Sequence, residues 1–205
     1  MSLLKSLILV LIGRNAKSYL SKAKELSDGE IADKVIKSKD SQLFGILYDR
    51  YSNKVYNKCY SFVKNSDEAK DLTQDIFLKV FLKLHLFNSS KASFSTWLYV
   101  LAYNFCTNYV NRDKKKKYMD EPMDDHEYHL SNDEVDIEKI NCLDEGKLIK
   151  ALDSIPPEDK SLLLLKYQDD VSIKDLQDSM GIGASAVKMR LNRAKAKVIK
   201  AYEKL

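Results

Sequence analysis

Apolar residues recur at helical spacing along most of the chain, and this periodicity limits the fold more than any other feature. One series stands at steps of four, on a single face of a helix: Leu43, Leu47, Tyr51, Val55 and Cys59. The 205 residues include six glycines and three prolines, which leaves little room for the turns of an all-β fold. The pattern predicts an all-α protein with enough residues to bury a core.

Capping residues and helix breakers divide the chain into two helical blocks. In the first, residues 27–118, the predicted helices cover residues 27–36, 41–63, 66–86 and 93–117, with a loop over residues 87–92. In the second, residues 143–205, they cover residues 144–154, a helix opened by Pro156-Pro157, and residues 172–180 and 184–202. We expect each block to be a small helical domain.

Charge is divided unevenly along the chain. The net charge is +4, but residues 113–145 hold twelve Asp or Glu against five Lys, a net of −7, so the remainder carries +11. Basic domains around an acidic connector are typical of proteins that bind a polyanion, although an ordinary solvated surface gives similar numbers. Nine carboxylates and the helix breaker Pro122 lie within residues 120–138. We expect residues 119–142 to be an acidic, flexible linker.

The cysteines and histidines predict neither a disulfide nor a metal site. Cys59, Cys106 and Cys142 have no CxxC spacing and are odd in number, which is typical of a reducing cytoplasm. His126 and His129 have no cysteine at zinc-ligand spacing. We therefore expect a cytoplasmic protein without a metal ion or cofactor.

The N-terminal residues contain an apolar segment, residues 3–12, which only Lys5 and Ser6 interrupt. It is shorter than the about 20 residues that a membrane-spanning helix needs. A signal peptide is the alternative, but no A-x-A-like cleavage site follows the segment. We expect residues 1–26 to be an N-terminal extension that does not insert into a membrane.

The last 34 residues have the pattern of a helix-turn-helix. Ser172 can cap a short helix that buries Ile173 and Leu176, and Gly181 can end it in a left-handed conformation. In the following helix, one stripe is apolar: Val187, Leu191, Ala194 and Val198.

The opposite side of that last helix is polar and basic. It carries Ser185, Met189, Asn192 and Arg193, with Lys188 and Lys195 on one flank and Arg190 and Lys197 on the other. Short polar residues and arginines reach base edges in the major groove, while flanking cations neutralise phosphates. The pattern favours a DNA-recognition helix over the alternative, an amphipathic helix with its lysines in water.

The third predicted helix has two contrasting faces. One face is expected to be core: Ala69, Thr73, Ile76, Phe77, Val80 and Leu84. The opposite face holds Asp71, Asp75, Leu78 and Leu82 in a narrow stripe, with Gln74 beside it. Leucines in line with carboxylates would fit a protein partner with a basic, partly apolar surface, but a solvated face with two stray leucines is equally compatible.

The fourth predicted helix is rich in aromatic residues. Its expected core ridge is Phe94, Leu98, Leu101 and Phe105. A different side carries Trp97, Asn104, Asn108 and Asn111, which could stack on and hydrogen-bond unpaired bases. Downstream, Arg112 and the lysines at 114–117 could contact phosphates. The alternative is a half-buried tryptophan beside ordinary surface asparagines.

Four motifs in this order resemble the extracytoplasmic-function (ECF) subgroup of bacterial sigma factors, which direct RNA polymerase to promoters. They are Phe44-x-x-Leu47-Tyr48-x-x-Tyr51, then DEAKDLTQDIFLKVF at residues 67–81, FSTWLY at residues 94–99, and VKMRLNRA at residues 187–194. The resemblance covers roughly residues 27–112 and 148–200. It implies a non-enzymatic initiation factor whose partners are core RNA polymerase, promoter DNA and an anti-sigma factor.

The resemblance also implies roles for the surfaces described above. The third helix would dock on the polymerase through Asp71, Gln74 and Asp75, with Leu78 and Leu82 in the same stripe. The loop at residues 87–92 and the fourth helix would capture the melted minus-ten element, with Asn88, Ser89 and Trp97 near a flipped base. The final helix would contact the minus-thirty-five element, and the acidic linker would thread the channel that later holds RNA.

Three positions depart from the family pattern. Val100 and Tyr103 stand where a basic residue is expected, and Gln177 replaces a small alanine in the helix-turn-helix.

Three other functions are alternatives to this interpretation. A dimeric helix-turn-helix repressor would need a dimer interface or phosphoacceptor pattern that the first block lacks, and a nucleic-acid-processing enzyme would need a convergent catalytic cluster. A factor that only restrains polymerase stays open.

Overall fold

The computed structural model describes residue 23, residues 25–117 and residues 144–205, with side chains given up to Arg112 and again from Asp144. Every regular element in these ranges is helical, as the periodicity predicted. The chain divides into two compact units, with the boundary between Cys106 and Thr107. The predictions for residues 1–22 and for the linker at residues 119–142, including Cys142, His126 and His129, lie outside the described residues.

The first unit is built from four helices and a short 3-10 turn. They are α1 (Asp28–Ser38), α2 (Ser41–Val63), α3 (Ser66–Lys83), the turn Leu84–Leu86, and α4 (Phe94–Lys117), whose last turns belong to the second unit. The helix starts follow from capping side chains. Ser27 forms a capping box with Glu30, and the Asn65 side chain accepts hydrogen bonds from the N–H groups of Asp67 and Glu68 at 2.9 and 3.1 Å.

The core of the first unit confirms the apolar stripes of α2 and α3. The five residues at steps of four in α2 are buried, and so are all six predicted core residues of α3 and its following turn. Phe44 packs edge-on against Phe77, with ring centroids 6.4 Å apart. These stripes make α2 and α3 the central pair of the unit.

The predicted core ridge of α4 is wrong in part. Phe94 and Leu98 are buried, but Leu101 and Phe105 are only half-buried. The buried face is instead completed by Tyr99, Ala102, Tyr103 and Cys106. The reason is a set of contacts with α2. The Lys58 ammonium donates to the Tyr103 hydroxyl at 3.2 Å, and the sulfur atoms of Cys59 and Cys106 lie 3.8 Å apart.

A polar cluster joins the start of α1 to α2. The Asp28 carboxylate accepts hydrogen bonds from the Arg50 guanidinium and the Tyr51 hydroxyl. Arg50 also donates to the Leu26 carbonyl oxygen at 3.0 Å. Burial and the bond to Asp28 raise the pKa of Tyr51 above its usual range. Asp28 therefore holds two α2 side chains at once.

We expect Asp28→Ala to lower the free energy of unfolding of the first unit by about 2 kcal/mol, because it removes the carboxylate that accepts from two partly buried donors. Urea denaturation followed by the fluorescence of Trp97, the single tryptophan of the chain, reports on this unit. Glu25→Ala removes a neighbouring exposed carboxylate and should change the free energy of unfolding by less than about 0.5 kcal/mol. If the two variants unfold at the same midpoint urea concentration, this role of Asp28 is contradicted.

The second unit contains four further helices. They are α5 (Glu145–Ser154), α6 (Pro157–Leu163), α7 (Ile173–Met180) and α8 (Ala184–Glu203), with a π-helical turn at Leu164–Gln168 after α6. Pro157 occupies the first turn of α6, as predicted. Residues from each of these elements form the core, including Ala151, Leu162, Leu163, Leu165, Leu176, Val187, Leu191 and Ala194. The π-helical turn was not predicted.

Two features are absent from the described residues. No helix in these ranges is long and apolar enough to cross a bilayer. In the same ranges, no group of three or more His, Cys, Asp or Glu side chains could hold a metal ion.

Candidate nucleic-acid and partner interfaces

The helix-turn-helix has the predicted geometry, with one correction: Leu176 is buried as expected, but Ile173, the first residue of α7, is only half-buried. The Ser172 hydroxyl accepts a hydrogen bond from the Asp175 N–H at 3.0 Å and so begins α7. Gly181 ends that helix in the left-handed region, at φ 65°, with its N–H bonded to the Gln177 carbonyl oxygen at 2.8 Å. Only three residues then separate α7 from α8.

The outer face of α8 is exposed as the sequence predicted. Its apolar stripe is buried. Side chains on the opposite side are all exposed: Ser185, Lys188, Met189, Arg190, Asn192 and Arg193. Within the described range of α8, one residue carries a carboxylate: Glu203, in the last turn. The exposed surface of this helix therefore combines cations with short polar side chains.

Two of the three flanking lysines of α8 are already engaged within the unit. Lys197 forms an ion pair with Asp159, at 2.6 Å between Nζ and Oδ2. The Lys195 ammonium lies 4.9 Å from the ring centroid of Tyr167, a residue of the π-helical turn that is 55% exposed. The sequence did not indicate either contact, since both partners come from distant elements.

The outer stripe of α3 is also where the sequence predicted it. Asp71, Asp75, Leu78 and Leu82 are exposed, with 63% exposure for Leu82, and Gln74 is half-buried beside them. The stripe continues into the 3-10 turn with Leu86, which is equally exposed. Sequence reasoning missed Leu86, although its spacing of four from Leu82 was a usable signal. Three leucines in line with two carboxylates form an apolar, acidic surface.

The loop at residues 87–92 is held by its own side chains. Phe87 is buried against Phe94 and Trp97, with both ring centroids 5.6 Å away. The Asn88 side-chain oxygen accepts hydrogen bonds from the N–H and the hydroxyl of Ser90, at 2.9 and 2.6 Å. The Ser89 hydroxyl donates to the Asp33 carboxylate of α1 at 3.0 Å. The loop is therefore tied to both α4 and α1.

The polar side of α4 is only partly as expected. Trp97 is half-buried and leans on Phe94, with ring centroids 6.0 Å apart. Asn104, Asn108 and Arg112 are exposed. Asn111, in contrast, is half-buried, and its amide donates to the Glu158 carboxylate within the second unit. The side chains at 114–117 lie outside the described residues.

One position that departs from the family pattern belongs to the core. Tyr103 is completely buried, and its hydroxyl accepts the hydrogen bond from Lys58. The Lys58 ammonium also lies 4.2 Å from the ring centroid of Tyr99 and 5.0 Å from that of Tyr103. A buried cation is costly unless it is compensated, and two aromatic faces with a hydroxyl provide that compensation. Val100 and Gln177, the other departures, are half-buried.

Two sequence families match the chain. The family described as Sigma-70 region 2 matches residues 47–116, and the one described as Sigma-70, region 4 matches residues 145–198. Together they cover more than half of the chain. The first match contains the α3 stripe, the loop and the polar side of α4, and the second contains the helix-turn-helix.

Curated relatives agree with both matches. The ECF RNA polymerase sigma factor SigW of Bacillus subtilis is 27% identical over 173 residues, which cover 79% of this chain and 90% of SigW. The RNA polymerase sigma-H factor of Pseudomonas aeruginosa is 26% identical over 185 residues, which cover 87% of this chain and 95% of that protein. The similarity therefore extends across both matched regions.

Solved structures show the same fold. CnrH in complex with the cytosolic domain of CnrY matches with a TM-score of 0.58 at 18% identity, covering 86% of this chain and 97% of CnrH. The sigma factor RpoE of Bartonella quintana, in complex with the anti-sigma factor NepR, matches with a TM-score of 0.53 at 18% identity. The match covers 78% of this chain and 96% of RpoE. With both family regions present in order, the chain belongs to the ECF subgroup of bacterial sigma factors and is an alternative sigma factor for transcription initiation.

Proposed function

We propose that this sigma factor divides its work among three surfaces. The α3 stripe binds core RNA polymerase, α8 contacts the minus-thirty-five element, and the loop at residues 87–92 with α4 holds the melted minus-ten element. Residues 27–118 and 143–205 are the two working domains, and the acidic residues 119–142 link them in the RNA channel. The observation that carries the proposal is that the proposed contact residues on α3 and α8 are exposed opposite buried apolar stripes, except half-buried Gln74.

The polymerase surface combines two kinds of interaction. Asp71 and Asp75 supply negative charge, which steers association with a basic partner surface and sets the orientation of docking. Leu78 and Leu82 are large exposed apolar side chains, and their burial on binding supplies affinity. Gln74 lies beside the stripe, half-buried, and can hydrogen-bond across the interface. Since polymerase resides in the cytoplasm, this sigma factor works there, without a cofactor and without enzymatic activity of its own.

The α8 surface would read DNA in the major groove. Arg190 and Arg193 have the donor geometry that matches guanine, Asn192 can pair with adenine, and Met189 offers an apolar contact to a thymine methyl group. Ser185 and Lys188, near the start of the helix, can reach phosphates. Because Lys197 is bound to Asp159, it is a weaker choice for a phosphate contact than Lys188.

Replacing Arg193 with alanine should weaken promoter binding by the polymerase holoenzyme by about 1–3 kcal/mol on the preferred minus-thirty-five sequence, and much less when that sequence is scrambled. Lys188→Ala should instead weaken binding to both DNAs alike and lower the salt slope by about one. Lys174→Ala, on the exposed side of α7, is the control. A salt titration of promoter binding measures all three. Equal losses on both DNAs for Arg193→Ala would contradict base recognition by this residue.

The minus-ten surface would stabilise open DNA by differential binding. Unstacking promoter bases costs a few kcal/mol per step. A surface that stacks and hydrogen-bonds extruded bases lowers the free energy of the open state relative to the duplex. Trp97 provides the stacking surface, and Asn88, Ser89, Asn104 and Asn108 provide hydrogen bonds. Arg112 would contact a phosphate, while Asn111 contributes only if it leaves Glu158.

An anti-sigma factor is the expected regulatory partner. The Bartonella RpoE was solved in complex with the anti-sigma factor NepR, and CnrH was solved in complex with the cytosolic domain of CnrY. We propose that a partner of this kind covers the exposed leucines of α3 and the basic face of α8, because these surfaces must be occluded to prevent transcription.

Co-elution of the purified chain with core polymerase, in the absence of any anti-sigma factor, tests the proposed polymerase-docking surface on α3. A chain that elutes alone would contradict it.

A further inference from the structure

The hydrogen bond between the loop and α1 has a chemical consequence for the loop. The Ser89 hydroxyl donates to Oδ2 of Asp33 at 3.0 Å. A serine hydroxyl has one hydrogen and two acceptor lone pairs, whereas an ionised carboxylate can only accept. While this bond exists, the single hydrogen of Ser89 is committed to Asp33. The hydroxyl oxygen then faces other groups as an acceptor only.

The surroundings hold this arrangement in place. Asn88 and Ser90 bond to each other, so the residues on either side of Ser89 are tied down. Phe87 anchors the start of the loop in the core. On α1, Gly29 lies so close that a Cβ built on it would meet the Ser89 Cβ at 3.5 Å. Asp33 is half-buried one turn further along the same helix. The Ser89 hydroxyl is therefore oriented by α1.

We propose that Asp33 is a positioning residue for base selection at the minus-ten element. By holding the hydrogen of Ser89, it makes the hydroxyl oxygen an acceptor for an extruded base. Adenine and cytosine carry an exocyclic amino donor where guanine and thymine carry a carbonyl oxygen. Ser89 thus favours amino bases and disfavours keto bases. This inference rests on the proposed function of the loop and adds the residue that sets its selectivity.

Two variants of Asp33 distinguish the effect of the Ser89 hydroxyl orientation from the effect of the negative charge of Asp33. Asp33→Asn removes the charge but retains a side-chain oxygen that can accept the Ser89 hydrogen. Asp33→Ala removes both, so that the hydroxyl can rotate and donate to a keto base. A purely electrostatic effect would be the same in the two variants. An effect of hydroxyl orientation would appear in the alanine variant and be rescued in the asparagine variant.

The experiment is transcription by holoenzyme, assembled from the full chain and core polymerase, on a promoter library randomised through the minus-ten segment. Sequencing of transcribed templates gives the ratio of amino to keto bases at each position. The position contacted by Ser89 is the one whose preference Ser89→Ala removes. We expect wild type to prefer amino bases there by roughly fivefold, the strength of one hydrogen bond. Asp33→Ala should reduce the ratio to about one, and Asp33→Asn should retain it.

Glu25→Ala is the matched control, because it removes an exposed carboxylate near the start of α1 and leaves Asp33 and Ser89 unchanged. It should keep the wild-type ratio. Circular dichroism of each variant confirms folding. The inference is overturned if Asp33→Ala keeps the wild-type ratio, if both Asp33 variants change it equally, or if Ser89→Ala changes no position. A wild-type chain that directs no promoter-dependent transcription would overturn the proposed function itself, and this inference with it.

Discussion

Asp75→Arg is expected to weaken the binding of core polymerase by about 100-fold or more, the effect of placing a like charge against a basic partner surface. Asp75 is exposed in the middle of the α3 stripe, between Asp71 and Leu78. Because its side chain faces away from the core, reversal of the charge should leave the fold intact. Fluorescence anisotropy of labelled chain titrated with core polymerase measures the affinity directly.

The control for this prediction is Asp178→Arg, which reverses the charge of an exposed aspartate on α7, outside the proposed polymerase surface. It should bind polymerase as wild type does. Leu82→Ala should weaken binding by a smaller factor, about tenfold, since the charge of the stripe is unchanged. Wild-type affinity for Asp75→Arg would show that polymerase binds elsewhere on the chain.

Trp97→Ala is expected to retain core binding but to reduce open-complex formation by roughly 10- to 100-fold. Base–aromatic stacking is worth about 1–3 kcal/mol per base, and the indole also supports Phe87 at the start of the loop. Permanganate reactivity of unpaired thymines near the minus-ten element measures opening. Since Trp97 is half-buried, truncation also costs some stability, and a thermal melt must show that the variant is folded at the assay temperature.

Trp97→Phe is the variant that distinguishes stacking from packing. It keeps an aromatic ring against Phe87 and Phe94, and it should recover most of the opening activity that the alanine variant loses. If Trp97→Ala is folded, binds polymerase and opens promoters normally, the indole is only part of the core and the minus-ten surface lies elsewhere.

Local signals in the sequence predicted most of the architecture. Caps such as Ser27, Asn65 and Ser172 mark helix starts through hydrogen bonds to residues two or three positions away, which a sequence displays directly. Apolar stripes likewise depend on helical spacing alone, so the buried and exposed faces of α3 and α8 were correct. The ends of helices were less certain: the predicted third helix closes with the 3-10 turn Leu84–Leu86.

The features that the sequence did not reveal depend on contacts between distant residues. In α4, tyrosine and cysteine could lie on either side of the helix, and pairing of Lys58 with Tyr103 and of Cys59 with Cys106 selected the buried face. The engagement of Lys197 by Asp159 joins residues 38 positions apart. The bond from Ser89 to Asp33 spans 56 positions. No periodicity or spacing encodes such pairs.

The most direct test of the account is promoter-dependent transcription by core polymerase that has been freed of other sigma factors. The account predicts that adding the purified chain to this core, with a library of bacterial promoter fragments, yields transcripts that begin downstream of a shared pair of minus-thirty-five and minus-ten sequences. It also predicts that Asp75→Arg yields none. Transcript levels no higher than those of core polymerase alone, from a chain that is folded, would contradict the assignment of these surfaces to transcription initiation.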